Sequence, residues 1–156
     1  MSTEVLRQCA PFKGLTSVGL EIFAKIAKPR ILLTGKVLFA EGKPSESLYL
    51  VAEGRLGVRV KGPDGHDAPV ASLGAGEHMG EMALLATGKQ AVHLCTVVAE
   101  ADSKVLEISA ADFRTLLKDK PQACMKLLLA LSAELGQKAV DAGEPLRFLM
   151  MQADRR

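Results

Sequence analysis

Apolar residues near the start of the chain recur at a helical interval. Leu20, Phe23, Ala24 and Ala27 stand at i, i+3, i+4 and i+7, which places them on one face of a helix. Thr16 or Ser17 supplies the N-cap, and Pro29 is expected to stop that helix. From Ile31 to Ile108 the interval drops to two. Leu56, Val58 and Val60 alternate with Gly57, Arg59 and Lys61, the signature of a strand with one buried face. Leu48 and Leu50 alternate in the same way with Tyr49 and Val51. Glycines at 35, 42, 54, 65 and 74 punctuate this stretch roughly every 7–12 residues, the rhythm of short antiparallel strands closing into a sandwich or barrel. Pro63-Asp64-Gly65 is the clearest hairpin turn, with glycine available for a positive φ.

A helical interval returns at Ser109. Ser109-Ala110-Ala111-Asp112 has the character of a capping box, in which a hydroxyl satisfies free amides and a carboxylate favours the helix N-terminus. Pro121 suits the first turn of a second helix. That helix carries Cys124, Leu128, Leu131, Leu135 and Lys138 at 4-3-4-3 spacing, a seam that either pairs with a partner helix or packs on the β region of its own chain. Asp141-Ala142-Gly143-Glu144-Pro145 breaks the helix. The expected division is a domain over 1–143 and an apolar-then-basic tail over 144–156 that frays or docks.

At 156 residues the chain is one domain's worth of material, with 48% hydrophobic residues to fill a core. A net charge of +2 is too small for a general nucleic-acid binder, and an aromatic content of 4% with no Trp gives no platform for stacked bases. Apolar runs are too short to span a bilayer, and the start shows no export signal, so a cytoplasmic protein is expected, without membrane association. Cys9, Cys95 and Cys124 form no C-x-x-C pair, and His66, His78 and His93 have no zinc spacing. Three reduced thiols and no metal are expected.

The densest glycine cluster runs from Leu73-Gly74-Ala75-Gly76 to Gly80-Glu81-Met82-Ala83-Leu84-Leu85. Glycine lets backbone approach a ligand, and a short helix starting near Gly80 aims free N–H groups outward, so this segment is a candidate anion site. It is neither a P-loop nor a dinucleotide fingerprint. Four segments together resemble the cyclic nucleotide-binding domain family. They are Pro11-Phe12-Lys13-Gly14-Leu15-Thr16, Gly35-Lys36-Val37-Leu38-Phe39-Ala40-Glu41-Gly42, Ser47-Leu48-Tyr49-Leu50-Val51 with Glu53-Gly54, and the glycine cluster itself. The likeness covers about residues 5–140. It implies a mainly β, α+β fold: an antiparallel β-roll of jelly-roll type with N-terminal helices and a long C-terminal helix.

The resemblance also implies a site. In that family the Gly-Glu cassette holds the cyclic phosphate and ribose. Glu81 is then expected to accept from the ribose 2′-hydroxyl, with Gly80, Met82 and Ala83 supplying backbone contacts. The family cassette continues to an arginine that forks onto the phosphate, and here no arginine stands between Arg59 and Arg114. Counting forward from Glu81 reaches Gln90. Counting back from Thr96-Val97-Val98-Ala99 reaches His93, as a three-residue insertion would produce. His93-Leu94-Cys95-Thr96 then stands where the resemblance implies Arg-Ala-Ala-Thr. Losing a charge-assisted pair costs about 1.5–3 kcal/mol, or roughly 10–150-fold in affinity. Lys89 as a point charge, or His93 when protonated, is the candidate replacement.

No catalytic constellation is visible, so an enzyme is not expected. Three readings stay open: a stand-alone cAMP or cGMP sensor signalling through its C-terminal helix; a β-roll that has lost nucleotide binding and serves as an interaction module; or a pocket for a larger ligand such as a cyclic dinucleotide. The seam on 121–140 makes a homodimer the expected assembly, with an unidentified protein effector. DNA binding by this chain alone is not expected, since only Leu146–Arg156 follow the long helix.

Overall fold

Strands in the centre of the chain bury both faces, and that fixes the layering. The computed structural model describes residues 2–86 and 90–143. The N-terminal elements are α1 (Ser2–Gln8), a 3-10 turn (Ala10–Phe12) and α2 (Ser17–Ala24). Eight strands follow: β1 (Lys28–Leu32), β2 (Val37–Phe39), β3 (Ser47–Glu53), β4 (Arg55–Lys61), β5 (Asp67–Gly74), β6 (His78–Met79), β7 (Thr96–Ala99) and β8 (Ser103–Ser109). The one-turn helix α3 (Met82–Leu85) lies between β6 and β7, and α4 (Ala110–Asp119) and α5 (Pro121–Ala142) come last. Two antiparallel four-stranded sheets form, in the orders β1-β8-β3-β6 and β2-β7-β4-β5.

Leu48 and Leu50 of β3, with Leu106 and Ile108 of β8, face the helices. There they join Leu6, Phe12, Phe23, Phe113, Leu127 and Leu131 in one core. Tyr49 and Val51 face the other way, with Leu38, Leu56, Val97 and Val105, and fill the space between the sheets. The alternation at 48–51 therefore marks a strand covered on both sides, because helices close the face that an ordinary sandwich leaves to solvent. The jelly-roll expectation of β-roll with flanking helices is met.

Local signals behave as their chemistry requires. Thr16 Oγ1 accepts from the Gly19 N–H at 3.2 Å, and Ser109 Oγ accepts from the Asp112 N–H at 3.0 Å, so both expected caps form. The 63–65 turn joins β4 to β5, with Gly65 at φ +79°. The helix expected to run to Pro29 ends earlier, at Ala24. Pro29 sits inside β1, where an edge strand tolerates its missing N–H. The expected α5 seam is also corrected in part. Cys124 and Leu131 are fully buried in the chain's own core, Leu128 packs against it, and a different stripe is exposed: Met125, Leu129 and Val140 at 59%, 63% and 72%. Among the described residues no helix is long and apolar enough to cross a membrane. The tail over 144–156 lies outside the described residues.

Candidate ligand-binding site

The cassette is built on β6, which pairs with β3 through Leu50↔His78 and Tyr49↔Met79. The turn before it is clasped to the same strand: Gly76 donates to the Val51 carbonyl, and Val51 donates back to Glu77. Gly80 then turns the chain at φ +82°, and a Cβ there would run into the Ser47 carbonyl. Only glycine satisfies both the backbone angle and the close approach. Glu81 follows in helical conformation and leads into α3.

Residues 81–86 form one tight turn. The Ala83 N–H donates to the Gly80 carbonyl at 3.1 Å, so this expected contact is already spent inside the cassette. The N–H groups of Glu81 and Met82 have no acceptor among the described residues. Ala83 is buried, and Met82 is exposed at its side chain. Ala83 and Ala86 line an open cleft of about 680 Å³ that also takes in Ser45, Gln90, Glu107 and Arg114. Ser45 Oγ and His78 Nδ1 are buried polar atoms without a hydrogen-bond partner among the described residues. Native structures leave few such atoms, and both of these flank the cassette.

Of the two positions that the counts reach, Gln90 lines the cleft and His93 does not. His93 is buried and stacks on Phe39, ring centroids 3.7 Å apart and planes within 9°. Its backbone is tied on both sides, donating to the Lys43 carbonyl and accepting from the Gly42 N–H. Burial pulls its pKa below the usual histidine value, so the ring is neutral at physiological pH. Leu94 is exposed, and Lys89 lies outside the described residues. The Cys95 thiol is pushed up first by burial and then by the charges of Glu41 and Glu81.

Two groups escaped the sequence reading. His78 Nε2 lies 2.6 Å from Glu134 Oε2 on α5, and its Nδ1 lies 3.9 Å from Glu81 Oε2. Nothing in the linear order joins residues 56 positions apart. Only the docking of α5 against β6 brings them together. Arg114, one turn into α4, brings a cation to the cleft. Among the described residues no three His, Cys, Asp or Glu side chains are placed to hold a metal.

A model of the family described as the cyclic nucleotide-binding domain matches residues 29–120, which contain both sheets and the cassette. The chain belongs to the cyclic nucleotide-binding domain family. It is 29% identical over 124 residues to the cyclic AMP receptor protein of Thermus thermophilus, covering 80% of this chain and 56% of that protein. It is 23% identical over 132 residues to a CRP-like cAMP-activated global transcriptional regulator of Mycobacterium tuberculosis, covering 85% of this chain and 58% of that one. The chain thus spans less than three-fifths of the length of these relatives. Among solved structures, the N-terminal domain of a transcriptional regulator from Streptomyces coelicolor superposes with a TM-score of 0.76 at 28% identity, over 86% of this chain and 94% of that one. As a cyclic nucleotide-binding domain, the chain keeps the Gly80-Glu81 pair, and no arginine stands between Arg59 and Arg114.

Proposed function

We propose that the chain is a sensor of a cyclic mononucleotide, cAMP or cGMP, whose output is the position of α5. The observation that carries this reading is the cassette geometry. Gly80 is held against β3 in a conformation other residues resist, and it leaves at one turn the Glu81 carboxylate and two N–H groups without an acceptor among the described residues. A carboxylate facing a ribose hydroxyl makes a short charge-assisted bond, and free amides suit a phosphate oxygen. His93 is neutral and stacked, so the phosphate charge is left to Lys89 or to Arg114, which lines the cleft beside Ala83. Binding shifts α5 by the difference in ligand affinity between its two positions. The exposed stripe Met125, Leu129, Gly136 and Val140 lies within one face of α5 and is the surface for a homodimer.

Calorimetric titration with cAMP and cGMP near pH 6 and pH 8 tests this. The expected result is saturable heat at micromolar ligand, equal at both pH values, and lost in Glu81→Ala and reduced in Lys89→Ala or in Arg114→Ala. Flat traces to millimolar ligand sink the sensor. They would favour a second reading, an interaction module without nucleotide, which the buried neutral His93 in place of a phosphate-binding cation supports.

A further inference from the structure

His78 stands between two carboxylates that belong to different parts of the machine. One is Glu81, in the cassette; the other is Glu134, on α5. Both the imidazole and the Glu81 side chain are largely buried, at 9% and 16% exposure. An ionised carboxylate only accepts, so the 2.6 Å contact makes Nε2 the donor to Glu134. Nδ1 is then left facing Glu81 across 3.9 Å, too far for a hydrogen bond, with no partner of its own among the described residues. With the Nε2 proton on Glu134, Nδ1 of a neutral ring is an acceptor facing an anion, and only a ring carrying both protons donates to Glu81 as well.

The place of this contact along α5 matters. The helix is buried at Cys124, Leu127 and Leu131, and none of its residues after Leu131 is buried. Glu134 is one turn further on, so His78 is a polar clasp at the point where α5 leaves the apolar core. Two further titratable groups are felt here: the Cys9 thiol is pushed up to about 11, first by its burial and then by the Glu134 charge, against the opposing charge of Lys13.

We propose that His78 is the positioning residue that couples the cassette to α5: its ring is held by Glu134 through Nε2 and faces Glu81 through Nδ1, so the state of Glu81 sets how firmly α5 is seated. This rests on the sensor reading for its purpose, but the coupling itself exists with or without nucleotide. When Glu81 is drawn toward a ribose hydroxyl, its negative charge moves relative to the ring, the field on the Nε2–Glu134 bond changes, and the seat of α5 changes with it. By linkage, displacing α5 alters the affinity at Glu81 by the same factor.

The test is amide hydrogen exchange across residues 132–142 in the full chain, as a cycle of wild type, Glu81→Gln, His78→Phe and the double variant. Phenylalanine keeps the ring and removes both nitrogens. His78→Phe is expected to speed exchange over 132–142 by about tenfold, the loss of one bond to a charged group. Glu81→Gln is expected to speed it about threefold with His78 present, and to leave it unchanged with Phe at 78. Glu134→Ala, on the helix surface, breaks the clasp from the other side and should match His78→Phe over the same residues, which guards against a folding defect at 78. The proposal is overturned if Glu81→Gln leaves 132–142 unchanged, or shifts it equally in both backgrounds. It is also overturned if neither His78→Phe nor Glu134→Ala moves it. The cycle uses no ligand, so absent nucleotide heat would sink the sensor while the coupling is still decided by the exchange rates.

Discussion

Gly80 and Gly35 form a natural controlled pair. Their φ angles are +82° and +84°, so an alanine at either meets the same left-handed penalty. That penalty is about 1 kcal/mol once the lower entropy of the unfolded alanine chain is counted. The surroundings differ. A Cβ at Gly35 meets nothing within 4 Å, whereas at Gly80 it runs into the Ser47 carbonyl and touches the Tyr49 ring. Ser47 belongs to β3, paired with both β8 and β6, so its backbone has no direction in which to yield. Overpacking against such a wall costs about 1–3 kcal/mol more. Gly35→Ala is therefore expected to lose about 1 kcal/mol and Gly80→Ala about 3 kcal/mol. Urea denaturation at constant slope reads the difference directly, and thermal melting should separate the two variants by roughly 4–8 °C. Gly80→Ala should also abolish nucleotide heat, since the cassette can relieve the collision only by moving off β3. Equal destabilisation of the two variants would refute the reasoning, for it would mean that conformation alone, not the approach to Ser47, fixes this glycine.

Other consequences are open to measurement. Burial keeps His93 neutral in the folded chain, while the unfolded chain takes up a proton near the ordinary pKa of about 6.5. The unfolded state thus binds protons first as pH falls, so this contribution is fully present above about 6.5 and is lost below it. Denaturation at pH 5.5 and 7.5 should show that loss in wild type and a smaller one in His93→Phe; equal losses would contradict it. Leu129→Glu places a charge in the exposed stripe of α5 and should convert a dimer to a monomer in sedimentation, whereas Leu135→Glu at its flank should do less. The Cys9 thiol, pushed up to about 11, should resist alkylation at pH 8 until urea is added. Rapid labelling in the native protein would argue against its burial.

The fold was legible where a residue's own chemistry decides its conformation. Thr16, Ser109, Pro121 and Gly65 marked element ends because caps and turns are local events, and each stands where its hydrogen bonds require. The cassette was legible for the same reason, as Gly80 and Glu81 are adjacent in sequence. Pro29 misled because proline disfavours a helix interior and an edge strand to very different degrees, and the sequence alone does not mark which strand is an edge. On α5 the 4-3-4-3 spacing found the buried Cys124 and Leu131 but missed Leu127 and ran on to the exposed Lys138, and it could not say whose surface buries them. The cores around Leu131 show that it is the chain's own. The His78–Glu134 contact was invisible because it joins two elements separated by α3, two strands and α4.

The asymmetry of α5 makes it an arm as well as a helix. Its first half is set in the apolar core at Cys124, Leu127 and Leu131, and its last polar hold on the body among the described residues is Glu134. Eight further residues carry it to Ala142, and at 1.5 Å of rise each they extend about 12 Å beyond that hold. A tilt of about 20° at Glu134 would swing the far end by about 4 Å, nearly one helical turn's pitch. A small change in how Glu134 is held is therefore read out at the far end of this arm as a larger one.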